Sequence, residues 1–219
     1  PCGLAVADML AGAAMAQGVL AAMIQRLRTG AGARVETSLL EVLVDLQFEV
    51  LTPHLTGSRR TPRRSGFRSA HAYLSAPYGI YPTADGYLAI AMTPLGKLAD
   101  LLGLDALAAY RDNPKSWFTD RDTIKRIIAE RLATASTAHW LQTLEPADIW
   151  CAKVLDWPEL LDSPGFEALD MLQTVTREDG VSLVTTRSPL RIDGVRARTE
   201  RAAPRVGEQS LAIRKEFDL

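Results

Sequence analysis

The sequence predicts a mixed α/β fold, and three features of the chain carry that prediction. An Ala- and Leu-rich stretch over residues 4–28 has the length and composition of a long helix that is packed on most sides. Two β-hairpins are indicated, at residues 78–92 and 172–186, where apolar runs flank an Asp-Gly pair. Between the hairpins, apolar residues recur at helical spacing, which predicts a set of short helices.

The region after the first helix is predicted to contain a short strand, residues 34–38, and then a second helix. Ser38 and Glu41 have the spacing of a capping box, in which each side chain binds the other residue's backbone N–H. Pro53 has no backbone N–H and disrupts a helix interior, so the second helix is predicted to end there.

Shifts in composition divide the chain into four stretches. Residues 1–55 are predicted to be a piece of a larger domain, and residues 56–76, rich in Arg, Gly and Ser, a basic linker. Residues 77–160 are predicted to form a small α+β domain, and residues 161–219 a return to the larger domain. The predicted elements of the small domain after its hairpin are helices at residues 95–102, 120–134, 137–144 and 158–161 and a strand at residues 151–155.

The composition excludes several classes of protein. With 25 basic and 26 acidic residues, the chain has no overall field that favours nucleic acid or an anionic membrane. Asp8 within the apolar first helix makes a membrane span costly, so we expect a buried helix of a soluble protein. Two cysteines without a CxxC pair, and three isolated histidines, predict neither a disulfide framework nor a metal site. We therefore expect a cytoplasmic protein.

The segment VADMLAG, residues 6–12, followed by an Ala-rich helix, resembles the class III CoA-transferase (CaiB/BaiF) family. The resemblance covers nearly the whole chain, because further segments match in the family's order. These segments are Arg28–Val35, Ala76–Gly79, Ala84–Tyr87, Cys151–Leu155, Ser188–Pro189 and Ala203–Pro204.

This resemblance implies an architecture as well as a family. It implies part of a Rossmann-like large domain together with a small α+β domain, and two monomers that thread through each other as interlocked rings. We therefore expect a homodimer. Family members are about twice as long, so the start at Pro1 is interpreted as an interior cut, with the N-terminal half of the same protein as a missing partner.

The resemblance also implies that Asp8 is the catalytic nucleophile. In the family, the corresponding carboxylate attacks an acyl-CoA thioester, giving an acyl-aspartyl anhydride, and returning CoA then gives an aspartyl-CoA thioester. An acceptor carboxylic acid finally takes the CoA, so the only cofactor is CoA itself. A carboxylate is ionised at neutral pH and needs no general base for this attack. The alternative interpretation of Asp8 is an ordinary acid in the first turn of a helix.

Each attack on a thioester or anhydride develops an oxyanion, which needs backbone N–H donors. Glycine lets a backbone approach the reacting atoms closely, which makes Gly12 and the loop containing Gly66, Phe67 and Arg68 candidate binding residues. Some relatives close a Gly-containing loop over the active site from this region. The five arginines between residues 59 and 68 have the chemistry to bind CoA phosphates, and a solvated linker is the alternative.

Two other functions remain open at this stage. One is a 2-methylacyl-CoA racemase of the same family, which uses a glutamate in the small domain as an acid or base. When residues 88–94 are aligned with the racemase strand that carries this glutamate, Thr93 takes its place, and threonine cannot act as an acid or base near neutral pH. A non-catalytic fragment or subunit is the other alternative. Packing roles are predicted for Cys151 and for the four tryptophans of the chain, Trp117, Trp140, Trp150 and Trp157.

Overall fold

The computed structural model describes residues 3–57, 59, 61–67 and 71–219. The chain divides into two compact units, Pro1–Val154 and Leu155–Leu219. Both contain helices and small antiparallel sheets, so a mixed α/β fold is confirmed. The Rossmann-like large domain and the four-part division of the chain stay predictions.

The first helix, α1, covers Val6–Thr29 and confirms the helix predicted there. It ends at Gly30, whose φ of 77° lies in the left-handed region that glycine adopts without strain. The predicted burial of α1 is wrong for this chain, because none of its residues is buried and Leu27 is 85% exposed. The described residues offer α1 mainly the next helix as a packing partner. Its length and apolar composition would also fit a membrane span, a property it shares with core helices of soluble proteins.

The strand predicted at residues 34–38 is wrong, since this stretch is extended but pairs with no strand among the described residues. Val35 instead packs against α1 at Gly18. A Cβ added at Gly18 would lie 2.6 Å from Val35 Cγ1, so only glycine allows so close an approach. The side chain of Val35 is therefore covered by packing on a helix rather than by the stretch joining a sheet.

The second helix, α2, covers Leu39–Leu46, and its predicted N-cap is confirmed. The hydroxyl of Ser38 accepts a hydrogen bond from the Glu41 N–H at 3.2 Å and donates to the Glu41 carboxylate at 2.6 Å. These contacts satisfy one of the backbone donors that every helix leaves free at its start.

The third helix, α3, covers Phe48–Thr56 and contains Pro53, so the prediction that Pro53 ends a helix is wrong. The helical stretch breaks instead at Gln47, between α2 and α3. Pro53 removes one donor from a helix of nine residues, and its own carbonyl still accepts the N–H of Gly57 at 2.9 Å. The loss of a single bond near a helix end is therefore accommodated.

A three-stranded antiparallel sheet, in the order β1-β2-β3, follows in the first unit: β1 is Gly79–Pro82, β2 is Tyr87–Ile90 and β3 is Cys151–Lys153. The predicted hairpin is confirmed. Its turn is tied to a later helix, because the Asp85 carboxylate accepts hydrogen bonds from the N–H of Thr137 at 2.7 Å and from its hydroxyl at 2.9 Å. These bonds lower the pKa of Asp85.

Four helices accompany the sheet: α4 (Leu95–Leu102), α5 (Ser116–Thr119), α6 (Arg121–Leu132) and α7 (Thr137–Leu144). The helices predicted at residues 95–102, 120–134 and 137–144 are confirmed as α4, α6 and α7, whereas α5 was not predicted. Short 3₁₀ turns lie at Asp105–Tyr110 and Glu145–Ala147. Among the described residues, every buried aliphatic or aromatic side chain except Val175 lies between Ala72 and Ile149. The hydrophobic core therefore belongs to this part of the chain.

The second unit has little apolar interior. It contains α8 (Trp157–Leu161), α9 (Pro164–Leu169), the hairpin of β4 (Leu172–Thr176) and β5 (Ser182–Thr186), the pair β6 (Arg191–Ile192) and β7 (Val195–Arg196), and α10 (Ser210–Phe217). The β4-β5 hairpin confirms the second hairpin prediction. Arg187 is buried here and donates to the carbonyls of Leu169 and Asp170, each at 2.7 Å.

Candidate active site

Asp8 lies in the first turn of α1, three residues into the helix, and its side chain is exposed. The N-cap residue, Ala5, makes no side-chain capping bond, so the positive end of the helix dipole is left to Asp8. The Asp8 carboxylate makes no hydrogen bond or ion pair with the residues that the structure describes. It is therefore an exposed carboxyl group beside a helix N-terminus, with no partner among the described residues.

Gly12 lies one turn after Asp8 on the same face of α1. A Cβ added at Gly12 would meet no atom within 4 Å, so the space beside Asp8 is open at this position. Gly12 is an interior helical residue, whose N–H normally bonds the carbonyl four residues earlier. Its lack of a side chain, rather than its N–H, is what it contributes to the surroundings of Asp8.

The candidate glycine loop, defined here as Ser65–Phe67, is anchored on α6 rather than on α1. The Asp122 carboxylate accepts the Ser65 hydroxyl at 2.5 Å and the Gly66 N–H at 3.1 and 3.0 Å. Phe67 packs against the core, with its ring centroid 6.4 Å from that of Tyr81. Arg68, the fourth residue of the predicted loop, lies outside the described residues.

Asp122 is held as an anion by its surroundings. The Ser65 hydroxyl and then the Gly66 N–H lower the pKa of this carboxyl, and the positive charges of Arg121 and Lys125 act in the same direction. Burial alone would raise the pKa of Asp122, but the net shift is downward. Lys125 itself is fully buried on the next turn of α6, and burial lowers the pKa of its ammonium to about 8.

Arg121 is the second buried cation of this region and binds the chain on both sides of the glycine loop. Its guanidinium donates to the carbonyl of Arg63 before the loop, and to those of Ala72 at 2.7 Å and Leu74 at 3.3 Å after it. Its guanidinium carbon also lies 4.5 Å from the ring centroid of Phe118. The sequence analysis missed both Arg121 and Asp122, since no spacing pattern links residues 56 positions apart.

A cavity of about 670 Å³ adjoins this anchor, and its lining includes Arg63, Arg64 and Arg121 together with Asp120 and Asp122. Of the linker arginines that the structure describes, Arg63 and Arg64 therefore lie against a cavity rather than wholly in solvent. Their role towards CoA phosphates stays a prediction.

A second, larger cavity of about 1090 Å³ lies between the sheet and the junction of α2 and α3. Apolar residues dominate its wall, and its polar contributors include Gln47 and His71. His71 accepts the Tyr73 N–H at 3.1 Å and lies 3.4 Å from the Glu49 carboxylate. Cys151 also lines this cavity, and burial first, then the charge of Glu145, raises the pKa of its thiol. A protonated thiol is a poor nucleophile, which agrees with a packing role.

The position that a racemase would use is also described. Thr93 lines a cavity of about 370 Å³ with Met92, Pro94, Trp117 and Tyr78, and the lining contains no carboxylate. Among the described residues no cluster of His, Cys, Asp and Glu could hold a metal ion. The predicted core role holds for Trp140, which is buried, and partly for Trp117, whereas Trp150 and Trp157 are exposed and that prediction is wrong for them.

The family model described as CoA-transferase family III matches residues 2–210, so this chain belongs to that family. The match includes Asp8, Gly12 and the glycine loop.

The relatives are CoA-transferases. The chain is 28% identical over 99% of its length to a succinate–glutarate CoA-transferase of Agrobacterium fabrum, and covers 54% of that protein. It is 29% identical over 98% of its length to an acetyl-CoA:oxalate CoA-transferase of Acetobacter aceti, of which it again covers 54%. The chain thus spans about half the length of the curated relatives it matches.

Solved structures show the same fold. A CaiB/BaiF family protein from Brucella suis matches all of this chain with a TM-score of 0.76 at 25% identity, and the chain covers 57% of it. A Mycobacterium tuberculosis protein matches 96% of this chain with a TM-score of 0.75 at 25% identity, over 55% of its own length. The small sheets and helices described above are therefore those of the CaiB/BaiF fold.

Proposed function

We propose that this chain is part of a CoA-transferase that moves CoA from an acyl-CoA donor to a carboxylic acid through covalent intermediates on Asp8. The observation that carries the proposal is the Asp8 carboxylate itself. It is exposed in the first turn of α1, has no partner among the described residues, and lies within the segment that matches the family.

The proposed reaction conserves the energy of the thioester at every step. The Asp8 carboxylate attacks the thioester carbonyl, the C–S bond breaks, and an acyl-aspartyl anhydride and CoA thiolate result. The thiolate attacks the aspartyl carbonyl and expels the donor acid, which leaves an aspartyl-CoA thioester. The acceptor carboxylate then attacks this thioester, releasing CoA thiolate and forming a second anhydride. Attack of that thiolate on the acceptor carbonyl gives the new acyl-CoA and frees Asp8.

The environment of Asp8 suits this chemistry. Asp8 lies in the first turn of α1, beside the positive end of the helix dipole, and the absent side chain at Gly12 leaves space on the same face of α1. A racemase reaction finds less support, because Thr93 lies where the racemase has its acid, and the described lining of the cavity around Thr93 includes no carboxylate.

The intact protein is proposed to be a cytoplasmic homodimer of interlocked chains whose large domain is Rossmann-like. Exposed apolar residues on α1 and α2, such as Leu20, Met23 and Leu40, support a larger domain than the described residues contain. The relatives are about twice as long as this chain. Acyl-CoA and a carboxylic acid are the proposed substrates.

Trapping the anhydride tests the proposal directly. The chain, supplied with its missing half, is mixed with acetyl-CoA or succinyl-CoA, and hydroxylamine is added to convert an activated aspartyl group to a hydroxamate. Peptide mass spectrometry should find the hydroxamate on the peptide that contains Asp8, and only when acyl-CoA is present. Oxalate, glutarate and succinate are suitable acceptors, because relatives are named for these acids.

Two variants make the trap specific. Asp8→Asn should abolish labelling, while the matched exposed acid variant Asp105→Asn, in a 3₁₀ turn of the small domain, should keep it. A wild-type protein that binds CoA but shows no adduct with either donor would favour a non-catalytic module. Exchange of the α-proton without any adduct would favour the racemase reaction.

A further inference from the structure

Four arginines of the second unit lie close together around one carboxylate. Burial lowers the pKa of the Arg187 guanidinium, and three neighbouring positive charges lower it further, those of Arg196, Arg191 and Arg198. The negative charge of Asp170 opposes them. We call the four residues the arginine cluster. Its four positive charges surround one carboxylate, so positive charge is in excess within the cluster.

Two members of the cluster face each other across the hairpin of β6 and β7. Arg191 in β6 is the antiparallel partner of Arg196 in β7. Side chains in such a pair lie on one face of the sheet with their Cβ atoms about 5 Å apart, and like charges in these positions are destabilising. The turn Asp193-Gly194 has φ values of 51° and 79°, the left-handed conformations that fit a two-residue hairpin turn. Backbone pairing therefore brings the two arginines together, and not attraction between them.

Asp170 fixes two members of the cluster in place. Its Oδ2 atom accepts a hydrogen bond from Arg196 at 2.8 Å and one from Arg198 at 2.5 Å. The same two guanidinium groups donate to the carbonyls of Ala168 at 3.2 Å and Leu172 at 2.8 Å. Within the described ranges, the Nε–H group of neither arginine has an acceptor. Two ordered cations therefore keep donors for a further acceptor.

Arg191 is the exposed member of the cluster that has no partner. Its side chain makes no hydrogen bond or ion pair in the part of the chain that the structure describes. Asp193 and Glu200, two acids of the same segment, form no salt bridge with the cluster among those residues. A guanidinium placed beside a second one, with no carboxylate of its own, is suited to bind an anion from solution.

We propose that Arg191, Arg196 and Arg198 bind a phosphate group, either free phosphate or the phosphate of a monoester. A guanidinium presents a planar fork of N–H groups that matches two oxygens of a phosphate. A phosphate monoester carries a charge of about −1.5 to −2 at pH 7, which compensates the excess positive charge better than a single carboxylate does. Arg187 is buried and donates to three carbonyls, so it contributes charge rather than a contact. The inference does not depend on the proposed function.

NMR of the arginine Nε–H groups tests the site on the 219-residue chain. Inorganic phosphate is exchanged for chloride at constant ionic strength, because exposed charges also respond to salt in general. The signals of Arg191, Arg196 and Arg198 should shift together and reach saturation. Shifts that grow without saturation, or that sodium chloride alone reproduces, overturn the site.

Arg191→Gln is the most informative variant, because this side chain supports no contact within the described structure. It should weaken phosphate binding about 10- to 100-fold, the factor that hydrogen bonds to a charged group contribute. Arg201→Gln is the matched control, since Arg201 is also exposed but pairs through its backbone with Thr176, at the other end of β4 from Arg198. It should change the affinity by less than about twofold. Equal losses in the two variants would mean that binding follows total charge, which overturns the site.

Thermal unfolding separates ligand binding from a structural role of Arg191. Removal of one of two facing like charges should leave the melting temperature of phosphate-free Arg191→Gln unchanged or higher. Phosphate should raise the melting temperature of the wild type more than that of the variant, since its general effect as a stabilising salt is common to both. A variant that melts lower without phosphate, and gains as much from phosphate as the wild type, overturns the site. Arg191→Lys keeps the charge without the fork and should bind phosphate with intermediate affinity.

Adenosine monophosphate and inorganic phosphate distinguish the two sources of the phosphate group. Tighter binding of adenosine monophosphate that is lost in Arg191→Gln would identify a monoester as the ligand. Tighter or equal binding of inorganic phosphate, lost in the same variant, would show that the phosphate group alone is recognised. If neither compound binds, the proposal is wrong, whereas a failure to label Asp8 would leave it unaffected.

Discussion

The two parts of the first unit differ in how they are held together. Residues 72–149 bury a continuous core of aliphatic and aromatic side chains between a sheet and four helices, whereas α1–α3 bury none of their residues. The segment with the proposed nucleophile therefore has no core of its own among the described residues. The segment that anchors the glycine loop has its own core. The residues that stabilise the fold are therefore different from the segment that carries the proposed nucleophile.

The largest expected effect comes from a matched pair of leucines. Leu98→Ala should lower the free energy of unfolding by about 2–5 kcal/mol, since Leu98 is fully buried and its removal leaves a cavity. Leu27→Ala on α1 should change it by less than about 0.5 kcal/mol, because Leu27 is 85% exposed. Urea unfolding of the 219-residue chain measures both. Equal costs for the two substitutions would remove the distinction between these regions.

The next effect concerns Lys125, whose buried Nζ has no hydrogen-bond partner among the described residues. Lys125→Met should raise the free energy of unfolding by about 1–3 kcal/mol at pH 7, since a buried amine without a partner opposes folding. Lys97→Met, at an exposed position of α4, is the control and should change little.

The gain at Lys125 should also depend on pH in a defined direction. Burial lowers the folded-state pKa of this amine from 10.5 to about 8, so the folded state disfavours the charged form. The wild type should therefore gain stability as pH rises from about 8 towards 10.5, and the advantage of Lys125→Met should shrink over that window. A gain that stays constant from pH 7 to pH 10 would show that Lys125 does not titrate in this way.

A smaller and more local effect is expected in the second unit, which buries few apolar side chains and whose backbone is linked by the buried Arg187. Its guanidinium serves the carbonyls of Leu169, Asp170 and Ser188 together, which the single ammonium of lysine cannot do. In Arg187→Lys, amide exchange in β4 and β5 should become about tenfold faster. Exchange in β1–β3 should not change, and faster exchange there would mean that the units do not open separately.

The smallest effect concerns acid stability at the first hairpin. The bonds from the Thr137 N–H and hydroxyl lower the pKa of Asp85, so this carboxylate stabilises the fold above its unfolded-state pKa and loses that effect as pH falls through the lower folded value. Asp85→Asn should therefore lose less stability than the wild type between pH 4 and pH 2. Thermal unfolding at several pH values provides the comparison.

The sequence predicted the strands and helices of residues 79–144 best, because their signals are local. The Asp-Gly turn at residue 85, the helix start at Thr137 and the apolar spacing of α4 each specify an element without reference to distant residues. These strands and helices then pack on one another in a single core, so distant residues do not override their local preferences.

The failures of sequence reasoning have long-range causes. Val35 packs on Gly18 of α1 instead of joining a sheet, and no local pattern distinguishes the two outcomes. The exposure of α1 follows from what surrounds it rather than from its own composition. At the candidate site, Asp8 was named through the resemblance to a family, and its role stays a prediction. The bond of Asp122 to Gly66 joins residues 56 positions apart and could be found only in three dimensions.

The way Arg121 closes the base of its segment bears on how such a protein can acquire new substrates. Because Arg63 on one side and Ala72 on the other are bound by the same guanidinium, the chain between them starts and finishes at one fixed point. The entropy of closing a loop rises only slowly with its length, by about 0.6 kcal/mol per doubling. Insertions in this stretch outside the anchored residues 65–67 can therefore accumulate at little cost to the core. Selection can explore new recognition surfaces there while the folded body that carries them stays unchanged.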